Sequence, residues 1–198
     1  MSWWSDDVGL VLVTAPSVEP LSLADAKAWL RVQHTAEDDL ITDLIVAARQ
    51  RAELLSERQL ITATWRLTLD SFPSGNGGLV IPRPRLISVT SITYVDTAGT
   101  TTTMPAADYI ADTDSEPGWI VPAYGDIWPT PRVQANAVKV TYTAGYGAAA
   151  TNVPKELILG IKGHVAVHYQ KRMDPGEMDR IDQVFRNYWH GNCHLSLQ

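Results

Sequence analysis

The first sixty residues carry two helical patterns. Ser22 is followed three residues later by Asp25, a capping pattern that predicts a short helix reaching Leu30. Thr35 followed by Asp38 repeats the capping pattern before a longer helix. Apolar side chains then recur on one helical stripe: Leu40, Ile41, Leu44, Ile45, Ala48, Ala52 and Leu55. The pattern therefore predicts one short and one long helix in this part of the chain.

Between about residues 60 and 150 the pattern changes to a period of two. Apolar and polar side chains alternate over residues 61–70, which predicts a strand with one buried and one solvated face. Residues 86–95 and 138–142 form two further predicted strands. Most of the threonines and prolines of the chain fall in this stretch, as is typical of short strands joined by turns. We expect an antiparallel β domain here, with a strand order that the sequence does not specify.

The last part of the chain returns to helical spacing. Val153 and Pro154 place a proline in the first turn of a helix that continues to Tyr169, and Pro175-Gly176 breaks it. A final amphipathic stripe follows: Met178, Ile181, Val184, Phe185, Tyr188 and Trp189. The three zones predict an α+β fold. An N-terminal arm with helices spans residues 1–59, an inserted β domain spans 60–150, and C-terminal helices with a tail span 151–198.

The composition excludes several classes of protein. The chain of 198 residues is 45% hydrophobic and 19% charged, which is typical of a soluble globular protein and not of a disordered one. Its longest apolar runs are far shorter than the roughly 20 residues that cross a bilayer. The first residues lack a signal-peptide pattern, so we expect an intracellular product without a membrane partner. The only cysteine, Cys193, cannot form an internal disulfide.

The charge balance argues against a nucleic-acid-binding surface. Sixteen basic and 22 acidic residues give a net charge of −6, whereas proteins that hold nucleic acid are usually basic. On the long helix, Glu37 and Asp38 lie in the first turn and Arg49 and Arg51 lie toward the end, which complements the helix dipole. A solvated helix face explains these four charges. A charged contact between subunits is the alternative interpretation.

The sequence contains few patterns that suggest catalysis. It has neither a phosphate-binding glycine loop nor a nucleophile elbow. His164 and His168 have the spacing of two zinc ligands on a helix, but no glutamate lies between them to act as a base and no third ligand is evident. His190, Cys193 and His194 could also bind a metal near the C-terminus. We expect no catalytic, cofactor-binding or metal site, with a metal-dependent hydrolase as one alternative.

Several aromatic and apolar side chains could serve in binding rather than in catalysis. Trp119, Tyr124 and Trp128 could form an exposed platform that binds carbohydrate or protein, or they could pack in the core and turns. The C-terminal stripe, extended by Leu195 and Leu197, could likewise belong to the core or dock in a groove of a partner. A β-domain binding module that uses exposed aromatics is therefore an alternative function.

A series of short motifs follows a recognisable order along the chain. They are Glu19-Pro20-Leu21-Ser22-Leu23-Ala24-Asp25, Glu37-Asp38-Asp39, Leu60 to Trp65, Ile81-Pro82-Arg83-Pro84 with Ser88-Val89, Val140 to Gly147, and Val153-Pro154. Together they resemble the head-to-tail connector, or adaptor, proteins of long-tailed phages and gene transfer agents. The resemblance covers about residues 18–172.

The resemblance implies a structural subunit without enzymatic activity or a cofactor. It also implies a small helical bundle with a β domain inserted between its helices. In this family, copies form a ring, commonly of twelve, beneath the portal protein, where the ring extends the DNA channel and docks the next connector or the tail. The protein would be made in the bacterial cytoplasm and reside at the head-to-tail junction of a virion or phage-like particle.

The resemblance also implies candidate interfaces. The family's portal contact tends to use the C-terminal helix and tail, which here contain Val184, Phe185, Tyr188, Trp189, His190, Leu195 and Leu197. A ring needs a heterologous interface, for which the charged residues Glu37, Asp38, Arg49 and Arg51 are candidates. Double-stranded DNA is expected to pass without sequence-specific binding, because a neutral or acidic wall does not hold phosphates through counterion release.

Overall fold

The chain folds into two compact units. The computed structural model describes residues 9–171 and 179–187. The helical unit contains residues 16–62 together with 146–171 and 179–187, and the β unit contains residues 9–15 and 63–145. Each unit has its own hydrophobic core. The predicted α+β class, which combines helices with antiparallel sheets, is confirmed, although the first described element of the chain belongs to the β unit.

The first helix, α1 (Leu23–Leu30), begins at the predicted cap. The Ser22 hydroxyl accepts a hydrogen bond from the Asp25 amide at 3.1 Å and donates one to the Asp25 carboxylate at 2.6 Å. These bonds satisfy an amide that the first turn of a helix otherwise leaves open. The helix ends at Arg31, whose left-handed backbone (φ 59°) turns the chain away.

The second helix, α2 (Asp38–Leu55), does not use the predicted cap at Thr35. Its N-cap residue is Glu37, whose side chain makes no capping bond. The main-chain carbonyl of Thr35 accepts the Asp38 amide at 3.2 Å. A main-chain hydrogen bond thus closes the turn before the helix, and the Thr35 hydroxyl is not needed as a cap.

The C-terminal part of the helical unit contains α3 (Lys155–Lys171), which follows Pro154 as predicted, and a further helical segment at residues 179–187. A short 3₁₀ turn, Ala150–Asn152, precedes α3. The core is formed by apolar side chains from these helices and their connections: Leu21, Ala26, Leu30, Ile41, Ile45, Ala48, Ala52, Leu60, Ile61, Val153, Leu157, Ile161, Val165 and Phe185. The helical stripe of α2 therefore faces the core, as its spacing predicts, except for Leu40, which is 45% exposed.

A buried polar cluster fixes the end of α2. The Glu53 carboxylate accepts hydrogen bonds from Arg49 at 2.7 Å, from the Gln59 amide group at 2.7 Å and from the Leu60 amide at 3.1 Å. The Gln59 side chain also donates to the Ile61 carbonyl at 3.0 Å. Because a buried carboxylate is costly without donors, these bonds allow Glu53 to remain inside the unit.

The β unit contains eight strands in two antiparallel sheets. The larger sheet has the order β1-β2-β8-β4-β5 and the smaller one β3-β7-β6. The strands are β1 (Gly9–Thr14), β2 (Ala63–Leu69), β3 (Leu79–Val80), β4 (Leu86–Val95), β5 (Thr101–Thr103), β6 (Tyr109–Asp112), β7 (Trp119–Pro122) and β8 (Val138–Ala144). A 3₁₀ turn, Ala106–Asp108, precedes β6. The three strands predicted at residues 61–70, 86–95 and 138–142 are confirmed as β2, β4 and β8.

The register of the larger sheet sets which side chains enter its core. β2 and β8 pair without interruption from Ala63 opposite Ala144 to Leu69 opposite Val138. β4 pairs with the other side of β8, with two irregularities in its register. The hydrophobic core of this unit contains Leu67, Phe72, Leu79, Ile81, Leu86, Ile92, Met104, Ile120, Trp128, Val138, Val140, Tyr142 and Ala144.

The first strand, β1, was not predicted from the sequence. Its run of apolar residues has no polar alternation, and its partner β2 follows only after both N-terminal helices. Leu10 lies opposite Leu67 and Leu12 opposite Trp65, so β1 extends the larger sheet by one strand. Pairing across such a sequence separation leaves no local signal.

Candidate functional site

The two acidic ring-interface candidates lie at the beginning of α2 and bond to other helices of the helical unit. Lys27 on α1 donates to the Asp38 carboxylate, and the Tyr169 hydroxyl on α3 donates to Glu37. The hydrogen bond to Glu37 raises the pKa of Tyr169, because loss of the proton would break it. The side chains of Glu37 and Asp38 are 38% and 30% exposed, so each carboxylate still reaches solvent.

Arg49 lies between two carboxylates inside the helical unit. Its Nε donates to Glu19 at 2.7 Å and its Nη1 donates to Glu53 at 2.7 Å. Burial acts to lower the pKa of Arg49, but the bond to Glu19 and the negative charge of Glu53 outweigh it, so the pKa is raised overall. The guanidinium therefore ties the segment before α1 to the end of α2.

Arg51 connects α2 to the helical segment at residues 179–187. Its Nε donates to Asp182 Oδ1 at 3.2 Å, and its Nη2 donates to Asp182 Oδ2. The hydrogen bond to Asp182 raises the pKa of Arg51 in spite of partial desolvation. Asp182 is buried while the Arg51 side chain is partly exposed. An ion pair with two parallel hydrogen bonds fixes the relative orientation of the two side chains as well as the distance between them.

The portal-interface candidates divide between core and surface. Phe185 is fully buried in the core of the helical unit, whereas the neighbouring Val184 is 47% exposed. The remaining candidates, Tyr188, Trp189, His190, Leu195 and Leu197, lie outside the described residues, as do Cys193 and His194. The sequence left core packing and docking open for this stripe, and the structure gives Phe185 a core position.

An open cavity of about 330 Å³ lies beside the segment at residues 179–187. Its lining includes Trp29 on α1, Val167 on α3 and Ile181. Trp29 is half exposed, and the Lys162 ammonium lies 5.7 Å from the centre of its ring. Sequence patterning did not point to this cavity, because its walls come from three helices far apart in the chain.

The His164 and His168 side chains lie together, with ring centroids 4.5 Å apart. Burial lowers the pKa of His164 to about 4, and the charge of His168 adds to the shift while that of Asp182 opposes it. The Nδ1 atom of His164 is buried and makes no hydrogen bond to a described group. Within residues 9–171 and 179–187, no three His, Cys, Asp or Glu side chains are grouped as metal ligands. The pair therefore has no third ligand among the described residues.

The three aromatic residues considered as a binding platform lie in different environments. Trp128 is 5% exposed, stacks on Phe72 at 4.7 Å and donates its indole N–H to the Gly77 carbonyl at 2.7 Å. Of the two interpretations that the sequence left open for Trp128, the structure shows packing in the core. Trp119 is partly exposed, and Tyr124 is fully exposed. Two exposed aromatics remain, without the third that the platform needs.

Several exposed apolar side chains of the β unit, apart from Tyr124, were missed by sequence reasoning. Tyr124, Ile127 and Val133 lie in the connection between β7 and β8, where they are largely or fully exposed. Val11, Leu12 and Val13 on β1 are each about half exposed. The part of the chain that the structure describes contains no helix with the length and apolar character needed to cross a membrane.

Comparison with known proteins gives a consistent result. The family model of phage gp6-like head-tail connector proteins matches residues 20–93. The fold also matches a chain from the neck of an empty gene transfer agent particle, computed with C6 symmetry. That match has 25% identity and a TM-score of 0.74, and it covers 90% of this chain and 95% of the other. The resemblance to phage head-tail connectors is confirmed.

Two further solved structures extend the connector resemblance. A chain from the virion of a native gene transfer agent particle is 26% identical, with a TM-score of 0.73 and coverage of 89% of this chain and 94% of that one. A chain from a native particle neck computed with C12 symmetry shares the fold at 24% identity, with a TM-score of 0.68 and coverage of 90% and 94%. No curated protein matches the chain by sequence. The likeness to these chains of gene transfer agent particles thus extends over nearly the whole fold.

Proposed function

We propose that this protein is a structural subunit of the head-to-tail junction of a phage or phage-like particle. Copies form a homo-oligomeric ring under the portal protein, extend the DNA channel and dock the next connector or the tail. The observation that carries the proposal is a fold shared over 90% of the chain with a component of a gene transfer agent neck, together with the connector family match over residues 20–93. The role is mechanical, with no catalytic step.

The portal contact is assigned to the exposed face of the C-terminal helical segment and to the tail that follows it. Val184 presents an apolar side chain to solvent, while the neighbouring Phe185 packs in the core of the helical unit. The open cavity beside Trp29 and Ile181 adds apolar surface next to this segment. Apolar anchors on a helix are suited to docking in a groove of a partner. Tyr188, Trp189, His190, Leu195 and Leu197 complete the proposed contact.

Charged residues of α2 are assigned to the contact between neighbouring subunits. Glu37, Asp38 and Arg51 keep part of their side chains exposed although each has a partner in its own subunit. A charge that is paired within one subunit can still attract an opposite charge across an interface. Arg49, which lies between Glu19 and Glu53, supports the geometry of α2 from within.

The acidic balance of the chain suits a channel through which DNA slides. A wall rich in arginine and lysine would neutralise phosphates and gain affinity with each released counterion. The net charge of −6 supports a wall that does not hold DNA in this way. Cryo-EM of the assembled ring tests this point, since a channel wall dominated by basic side chains would contradict it.

The proposal is tested by measuring the mass of the purified protein by light scattering, alone and with its portal protein. The informative truncation ends at Asn187, because it removes the tail while keeping Phe185 in the core and Asp182 in its pair with Arg51. We expect the full chain to form a ring or a portal-bound assembly, and the truncated chain to lose portal binding at an unchanged melting temperature. A full chain that stays monomeric and does not bind the portal protein would overturn the proposal.

A further inference from the structure

The larger sheet of the β unit has two open edges. Within the described part of the chain, β1 pairs only with β2, and β5 pairs only with β4, so each lies at one end of the five-stranded order. A strand at an edge presents unpaired backbone N–H and C=O groups along its outer side. Such groups are satisfied by solvent or by a strand from another chain.

The edge at β1 lacks the charges and prolines that often protect an edge strand. Its six residues contain no lysine, no other charge and no proline. Val11, Leu12 and Val13 are 45%, 43% and 49% exposed, so apolar side chains accompany the open backbone. The one irregularity of its register with β2 lies at its end, between Leu12 and Thr14. Natural proteins usually interrupt or charge an edge of this kind unless a partner covers it.

The opposite edge offers a suitable partner. β5 consists of Thr101, Thr102 and Thr103, which are uncharged and have the β-branched side chains that favour strands. Thr101 and Thr103 are exposed. Pairing of β1 with β5 of another copy would therefore bring no like charges together, and both strands would gain backbone bonds.

We infer that β1 of one subunit pairs with the β5 edge of the next copy, so that the larger sheet continues from subunit to subunit around the ring. This inference rests on the ring of the proposed function. Two β1 edges that paired with each other would close a dimer, because that contact is isologous. A β1–β5 contact joins different patches and can propagate until a ring closes. Strand addition supplies main-chain bonds, and the exposed valines add apolar contact.

The test uses the full-length protein with lysines placed on one edge at a time. Val11→Lys with Val13→Lys charges the β1 edge, and Thr101→Lys with Thr103→Lys charges the β5 edge. Val133→Lys is the matched control, because Val133 is fully exposed in the same unit but lies outside every strand. Mass is measured by native mass spectrometry and light scattering, alone and with the portal protein.

We expect each edge variant to remain monomeric under conditions in which the wild type and the Val133→Lys control form rings. A 1:1 mixture of the two edge variants should give dimers and nothing larger, since one variant keeps an intact β5 edge and the other an intact β1 edge. Circular dichroism should show folded protein for all variants, because the changed side chains are exposed. Val11→Glu with Val13→Glu replaces the lysine pair if that pair does not fold.

The other outcomes overturn the inference in distinguishable ways. If the edge variants still form rings, the proposed strand contact is wrong, whereas the proposed function stands. Loss of assembly in the β1 variant alone, with a normal β5 variant, would show that β1 pairs with something other than β5. If the wild type forms no ring even with its portal protein, both the proposed function and the proposed strand contact are wrong.

Discussion

The ring of Phe185 packs directly against the backbone of Gly160 on α3. A Cβ atom on residue 160 would lie 2.6 Å from Cε1 of Phe185, closer than side chains normally approach. The glycine therefore creates the space in which the C-terminal helical segment lies on α3. Because Phe185 is fully buried there, this contact explains why one member of the C-terminal apolar stripe belongs to the core.

Gly160→Ala should destabilise the protein by about 1–3 kcal/mol, because the added methyl group overpacks the site. Gly163 provides the control on the same helix, since a Cβ there would meet Ile181 at an ordinary 3.5 Å. Gly163→Ala should stabilise the protein by up to about 1 kcal/mol through its helix propensity. Urea denaturation followed by circular dichroism measures both, and equal effects of the two changes would contradict this packing.

Arg51→Ala should destabilise the protein more than Asp182→Ala does. Removal of the arginine leaves a buried carboxylate without its charged partner, whereas removal of the aspartate leaves a guanidinium that reaches solvent. A double-mutant cycle should give a coupling energy of about 1–2 kcal/mol, between the values of exposed and buried pairs. A coupling energy near zero would show that the pair does not hold residues 179–187 on α2.

Stability should decrease as the pH falls from about 6.5 toward 4 because of His164. Its pKa in the folded protein is lowered to about 4, from 6.5 in the unfolded chain, so the unfolded chain binds a proton first. The contribution of His164 is fully present above pH 6.5 and is lost through this window. Thermal unfolding of His164→Gln should depend less steeply on pH than that of the wild type.

The groups that surround His164 are His168, Asp182 and Arg51, and all of them are retained in His164→Gln. An unchanged slope in His164→Gln would show that another group causes the pH dependence.

Trp128→Ala should lower the free energy of unfolding by about 3–5 kcal/mol, the usual range for removing a large aromatic side chain from a core. Trp119→Ala should lower the free energy of unfolding by less than Trp128→Ala does, because the Trp119 indole is partly exposed although it donates a hydrogen bond to Asp112. Far-ultraviolet circular dichroism during urea denaturation measures both without relying on tryptophan fluorescence. Similar losses for the two variants would contradict the core position of Trp128.

Local patterns predicted most of the secondary structure. The cap at Ser22, the stripe of α2 and the proline before α3 are features of consecutive residues, and all three appear in the structure. The strands predicted at residues 61–70, 86–95 and 138–142 appear as β2, β4 and β8, and buried and more exposed side chains alternate regularly in β8. The capping prediction at Thr35 failed because main-chain bonding replaced the side chain.

The candidate contacts were less predictable because each depends on a distant partner. Spacing placed Glu37, Asp38, Arg49 and Arg51 on one helix but did not reveal their bonds to Tyr169, Lys27, Glu19, Glu53 and Asp182. Such bonds join residues from different elements, and charge type alone does not choose among the possible partners. The ring and portal contacts remain proposals for the same reason.

The sequence by itself determined the helices, the main strands, the α+β class and the resemblance to connectors, since periodicity, caps and motif order are local properties. Only the tertiary structure decided that Phe185 is buried beside an exposed Val184, that Trp128 enters the core, and that β1 adds an open edge to the sheet. Periodicity states which side chains share a face. The packing of distant segments decides what covers that face.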